Sequence, residues 1–230
     1  MRTGSAVLKF VSEGFLTGDA DKRALYRFVL GRRDLDREVE TILVGFGIAT
    51  RFSVIWKPED TFALSKFAPL PDMLAWLDGE WKEKCLVIVG KAGCGKTRCA
   101  AALAFELCTR KNWEPRIAVA RDTESLRDER EPYSVVVFDE VASLLESWVK
   151  QKKNDSVKHL LDVELLSVLP ARNRDLILQP RPRTITSQKP LEQICQQVPL
   201  ADWNAIDRRC MQVRVDHDLR KLPKEVSESI

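Results

Sequence analysis

Residues 85–107 read CLVIVGKAGCGKTRCAAALAFEL: an apolar run, a loop carrying three glycines and two lysines, then an alanine-rich segment. CLVIV has the length and composition of a buried strand, and the residues from Thr97 onward are strong helix formers. The loop between them is Gly90-Lys91-Ala92-Gly93-Cys94-Gly95-Lys96-Thr97, two glycines bracketing four residues and followed by Lys and Thr. Glycines at these places let several backbone N–H groups converge on one anion. The helix starting near Lys96 adds the positive end of its dipole. Lys96 is then placed to reach the β- and γ-phosphates of a nucleotide, and the Thr97 hydroxyl to bind Mg²⁺.

The rest of the 230-residue chain has room for one substantial domain and a small one. With 44% hydrophobic and 31% charged residues its composition is that of an ordinary globular protein. The net charge of +3 speaks neither for nor against a nucleic-acid partner, so any basic site must be local. Six cysteines form no C-x-x-C pair and only two histidines are present, which argues against a zinc site. Scattered cysteines suit a reducing, intracellular compartment. The most apolar N-terminal run, TILVGFGIAT, is bounded by Glu40 and Arg51 and is too short to span a bilayer. No signal-peptide pattern is present. The expectation is a soluble intracellular protein with no membrane partner.

Four regions are expected. Residues 1–18 form an N-terminal extension, and 19–75 a small, mostly helical region suited to self-association. Within it, ILVGFGIATRFSVIW could instead form a strand pair, and Pro69 and Pro71 mark a turn before a short helix. Residues 76–217 form the nucleotide domain and 218–230 a tail. In the nucleotide domain CLVIV, RIAVA, YSVVVF and RTITS alternate with helical stretches, the pattern of a parallel sheet between helices.

YSVVVFDEV places Asp139 and Glu140 at the end of a strand, 42 residues after Thr97. If that strand neighbours the phosphate loop, Asp139 can hold Mg²⁺ through water and Glu140 can deprotonate the attacking water. PRPRTITSQKP is a β-branched strand ending in Thr186, Ser187 and Gln188, where a polar side chain can sit beside the γ-phosphate. In WNAIDRRCMQVRV, Arg208 and Arg209 stand in a helical stretch before a strand, suited to an arginine finger that reaches a neighbouring subunit.

Together GKAGCGKT, VVVFDE, PRTITSQ and IDRRC, in that order, resemble the superfamily 3 helicase domain of viral replication-associated (Rep) proteins, also described as a viral RNA helicase domain. The resemblance covers roughly residues 75–217. It implies an α/β P-loop NTPase of AAA+-like architecture, hydrolysing ATP with Mg²⁺ while moving on single-stranded DNA or RNA as a ring, hexameric in this family. The family's third motif usually ends in Asn where this chain has Gln188. Rep proteins also carry a nuclease domain with a histidine metal pair. No histidine precedes His159 here, so the resemblance is to the helicase half alone. The chain segments between the second and third motifs would face the channel of such a ring. They supply Lys150, Lys152, Lys153 and Lys158, then Arg172, Arg174, Arg181 and Arg183 as phosphate-backbone contacts. A general AAA+ remodelling ATPase, or a degenerate nucleotide-binding assembly protein, are the alternatives.

Overall fold

The structure, a computed structural model, describes residues 54–220 except 57, 59–60, 128–131 and 172–174. The expected N-terminal extension, the helical reading of residues 19–53 and the tail from 221 onward lie outside the described residues. The described residues form one compact unit.

Its elements run β1 (Ile55–Trp56), α1 (Pro71–Asp78), β2 (Cys85–Gly90), α2 (Lys96–Lys111), β3 (Ile117–Ala120), α3 (Thr123–Arg127) and β4 (Val135–Phe138). Then come α4 (Ala142–Lys150), α5 (Asn154–Leu161), β5 (Ser167–Leu169), β6 (Leu176–Leu178), β7 (Arg183–Ser187), α6 (Leu191–Ile194), α7 (Leu200–Asp207) and β8 (Cys210–Val215). Six strands form one sheet in the order β1-β3-β4-β7-β2-β8. All its pairings are parallel except the edge strand β1, which runs antiparallel to β3.

This order corrects one expectation. The acidic strand β4 is not beside the phosphate-loop strand β2; β7 lies between them, pairing Thr186 with Ile88 and Ile185 with Phe138. The domain boundary also moves. The described residues between 54 and 75 belong to the nucleotide unit, because β1 completes the sheet and Ala68 N–H donates to Leu219 O at 2.8 Å.

Alternation along β2 explains its burial. Cys85, Val87 and Val89 enter a core shared with α4 and α5, while Leu86 and Ile88 enter the core beneath α1 and α2. Helix α2 lies close on the sheet because Ala100, Ala102 and Ala104 carry almost no side chain there. The helix stops at Asn112, whose φ of 54° closes it with an N–H bond back to Thr109 O. Between α5 and β7 the chain makes a separate hairpin, β5 against β6, with Val168 opposite Ile177.

Arg183 is a further correction. It is fully buried at the start of β7 and cannot contact a nucleic-acid backbone. Its guanidinium donates to His159 O at 2.9 Å, Leu160 O at 3.1 Å and Gln179 O at 3.0 Å. It thus closes the carbonyl end of α5, where a cation also meets the negative end of the helix dipole. Burial pulls its pKa below the ordinary arginine value. Arg183→Met should leave these carbonyls unpaired and lower the unfolding free energy by about 3 kcal/mol or more, read from urea melts. Unchanged stability would show that the carbonyls find other donors.

Candidate nucleotide site

The carboxyl ends of β2, β4 and β7 meet at one edge of the sheet. The loop after β2 needs a left-handed backbone at two places, Gly93 with φ 82° and Gly95 with φ 86°. Lys96, only 4% exposed, follows at the start of α2. Its ammonium donates to Gly90 O and Lys91 O, both at 2.9 Å, and lies 2.9 Å from Glu140 Oε1. All three of its protons are therefore directed.

On the other side of the site the Thr97 hydroxyl donates to Asp139 Oδ1. The buried Thr186 hydroxyl donates to the same oxygen at 3.0 Å, and accepts the Glu140 N–H at 3.0 Å. Arg121 Nε donates to the second oxygen, Asp139 Oδ2, at 3.3 Å. Glu140 has φ 54°, a left-handed conformation that a side chain normally avoids. The bond from its N–H to Thr186 holds it there.

The structure thus brings together the loop from Gly90 to Gly95, Lys96, Thr97, Asp139 and Glu140. Gln188 lies one residue past the end of β7, exposed, and bonds neither carboxylate. Thr186, two residues earlier on the same strand, makes that contact instead. Arg208 and Arg209 stand in the turn after α7 rather than inside the helix. Cys210 pairs with Cys85 while Val215 pairs with Gly90, so the two arginines sit at the opposite edge of the sheet. That is about 16 Å from their own phosphate loop at the usual strand rise. Neither side chain spans that distance to its own loop. Arg209 Nε is bonded to Asp162 Oδ2 at 3.1 Å and its Nη1 to Ala205 O at 2.7 Å. Burial works to raise the Asp162 pKa, but the Arg209 bond and the N–H groups of Leu165 and Glu164 bring it below the ordinary value. Arg208 is exposed.

Of the expected phosphate-backbone contacts, Lys150, Lys152, Lys153 and Arg181 are exposed. Lys158 is bridged to Asp155 and Asp202, both at 2.7 Å. Arg172 and Arg174 lie outside the described residues. The sequence reading missed Arg121. Its signal was position: it directly follows β3, and polar residues at the carboxyl ends of parallel strands face the ligand crevice.

Thr97 and Asp139 offer one hydroxyl and one carboxylate, hard oxygen donors of the kind Mg²⁺ takes together with substrate phosphates. They are the residues that could hold that ion. Thr186→Val removes the hydroxyl joining Asp139 to the Glu140 N–H while keeping the shape. It should lower kcat about tenfold and leave nucleotide affinity within a factor of a few, since the half-buried Glu140 N–H loses its partner. Steady-state phosphate release checks this, and an unchanged kcat would remove Thr186 from the site.

A parallel sheet with this loop at the end of β2 and an acidic pair two strands away defines a P-loop NTPase. A family model described as Novel STAND NTPase 3 matches residues 67–221, and the chain belongs to that family. Among solved structures it is similar to one described as "a putative primosome component from Streptococcus pyogenes serotype M3", with 13% identity, 70% of this chain and 88% of that chain covered, and a TM-score of 0.41. No curated protein matches the chain. No helix among the described residues is long and apolar enough to cross a membrane.

Proposed function

We propose that the chain is an Mg²⁺-dependent ATP hydrolase with Glu140 as the base. The observation that carries this is the convergence of Lys96, Thr97, Asp139 and Glu140 on one sheet edge beside the glycine loop. Water would attack the γ-phosphorus, its proton passing to the Glu140 carboxylate, while the bond to the β-phosphate oxygen breaks and ADP leaves. Mg²⁺, when bound, would neutralise charge on the β- and γ-oxygens. Lys96 and Glu140 restrain each other. An ammonium drawn toward the phosphates would weaken its contact with Glu140 and free that carboxylate for the water. Phosphate release from ATP by the purified chain tests the reading. Release that needs Mg²⁺ and vanishes in Lys96→Ala supports it; release no faster than in Lys96→Ala sinks it.

A second reading is favoured by exposed basic groups: movement on single-stranded DNA or RNA by an assembled ring, as in superfamily 3 helicases. Lys152, Lys153 and Arg181 are exposed between β4 and β7, and Arg208 is exposed at the far edge of the sheet. Stimulation of ATP hydrolysis by single strands, and specific activity rising with protein concentration, would support it. Replacing Lys152, Lys153 and Arg181 with glutamine should lower the slope of log K against log salt by about 0.7 per lost contact. An ATPase rate flat with both nucleic acids would point to a remodelling or assembly role.

A further inference from the structure

Past the end of β8 the chain turns back along the outside of the phosphate loop. Leu219 N–H donates to Cys94 O at 3.0 Å. Arg220 Nη2 donates to Gly93 O at 3.0 Å. This strap is anchored in turn. Leu219 O accepts the Ala68 N–H at 2.8 Å, Phe67 and Arg220 form an antiparallel bridge, and the Leu219 and Phe67 side chains are buried in the core. Asp218 aims the guanidinium, accepting Arg220 Nε at 2.9 Å and Nη2 at 2.6 Å. The strap leaves little space beside the loop, since a Cβ on Gly95 would lie 3.2 Å from Arg220 Cγ.

In a planar trans peptide the C=O and the following N–H point in opposite directions. Gly93 O shares its peptide with Cys94 N–H, and Cys94 O shares its peptide with Gly95 N–H. Drawing both oxygens outward to the strap turns both N–H groups the other way, toward the concave side of the loop. A hydrogen bond to a guanidinium is also stronger than one between neutral groups, so the grip on Gly93 O is firm.

We propose that Arg220 and Leu219 are positioning residues for phosphate binding: they fix the two peptide planes whose N–H groups meet the nucleotide. The inference rests on the reading of residues 90–97 as a phosphate loop. Arg220 need not touch the nucleotide. Its effect should be the same for di- and triphosphate, because the loop N–H groups serve both. It should appear in affinity more than in the chemical step.

The test is titration of the full chain with ATP and ADP carrying a fluorophore on the ribose. Arg220→Ala should raise Kd for both about tenfold, the value of one charge-assisted hydrogen bond. KM for ATP should rise by a similar factor while kcat changes less. Arg220→Lys should recover part of the loss, since an ammonium can still donate to Gly93 O. The melting temperature should hold, because Arg220 is exposed. Equal affinities in parent and Arg220→Ala would overturn the strap and leave the nucleotide site standing. A loss confined to ATP would overturn it too, in favour of a direct γ-phosphate contact. A loss that lysine does not rescue and that tracks a fall in melting temperature would make Arg220 merely structural. If the parent binds neither nucleotide, the reading of the site fails and the strap with it.

Discussion

Lys96→Ala is expected to cut ATP turnover by about 10²–10³-fold, the range seen when one preorganised donor to developing charge is removed. The position explains the size of the effect. Lys96 is almost fully enclosed, and its ammonium is shared between two loop carbonyls and the Glu140 carboxylate. Alanine removes the charge that would face the phosphates. It also leaves Glu140 without its cation and the Gly90 and Lys91 carbonyls without their donor, so the loop itself loosens. Binding should therefore weaken along with turnover, unlike a change that touches only the attacking water. Phosphate release at saturating ATP and the Kd from fluorescence titration measure the two effects separately. Circular dichroism on the same sample establishes that the variant folds. A folded Lys96→Ala that retains a tenth of parental turnover would take the lysine out of the proposed chemistry.

Much of this site was legible along the chain because its parts are local. The apolar run, the glycines at 90, 93 and 95, and the lysine and threonine that open α2 stand within thirteen consecutive residues. The acidic pair announces itself by ending a run of four strand residues. What was not legible is non-local. A strand's sequence says that it is buried on both faces but not which strand lies beside it. The insertion of β7 between β2 and β4 could not be read, nor that Thr186 would bridge Asp139 and the Glu140 backbone. Arg181 and Arg183 look alike in PRPRTITS, two arginines each following a proline. One is exposed, while the other begins β7 and is drawn inward by the carbonyl end of α5, whose bonded carbonyls lie 23 and 24 residues earlier. The strap escaped notice for the same reason: residues 216–220 carry no pattern of their own, and their role comes from Cys94 and Gly93, more than 120 residues before them. Arg208 and Arg209 were legible as a pair before a strand. Which end of the sheet they occupy follows only from the β2–β8 register.

The second large effect is expected at Glu140, and it should differ in kind from the first. Glu140→Gln keeps the size and shape of the side chain. The amide oxygen can still accept from the Lys96 ammonium, which sits 2.9 Å from Oε1 in the parent. The backbone N–H can still donate to Thr186 and hold the left-handed turn. The pair formed by Thr97 and Asp139 is untouched. Nothing that binds the phosphates or the metal is lost, so ATP affinity should stay within a few-fold of the parent. It should tighten if anything, because a negative charge beside the γ-phosphate has gone. What disappears is the group proposed to take the proton from water, since a carboxamide is not a base at neutral pH. General-base catalysis contributes about 10²–10⁴-fold, and kcat should fall by that amount with little change in Kd. Lys96→Ala and Glu140→Gln therefore separate binding from chemistry: the first weakens both, the second only the chemical step. Single-turnover hydrolysis of prebound ATP gives the cleanest measure, since it excludes product release. If prebound ATP is cleaved at the parental rate in Glu140→Gln, the base lies elsewhere, and the Lys96–Glu140 contact is only a structural pair.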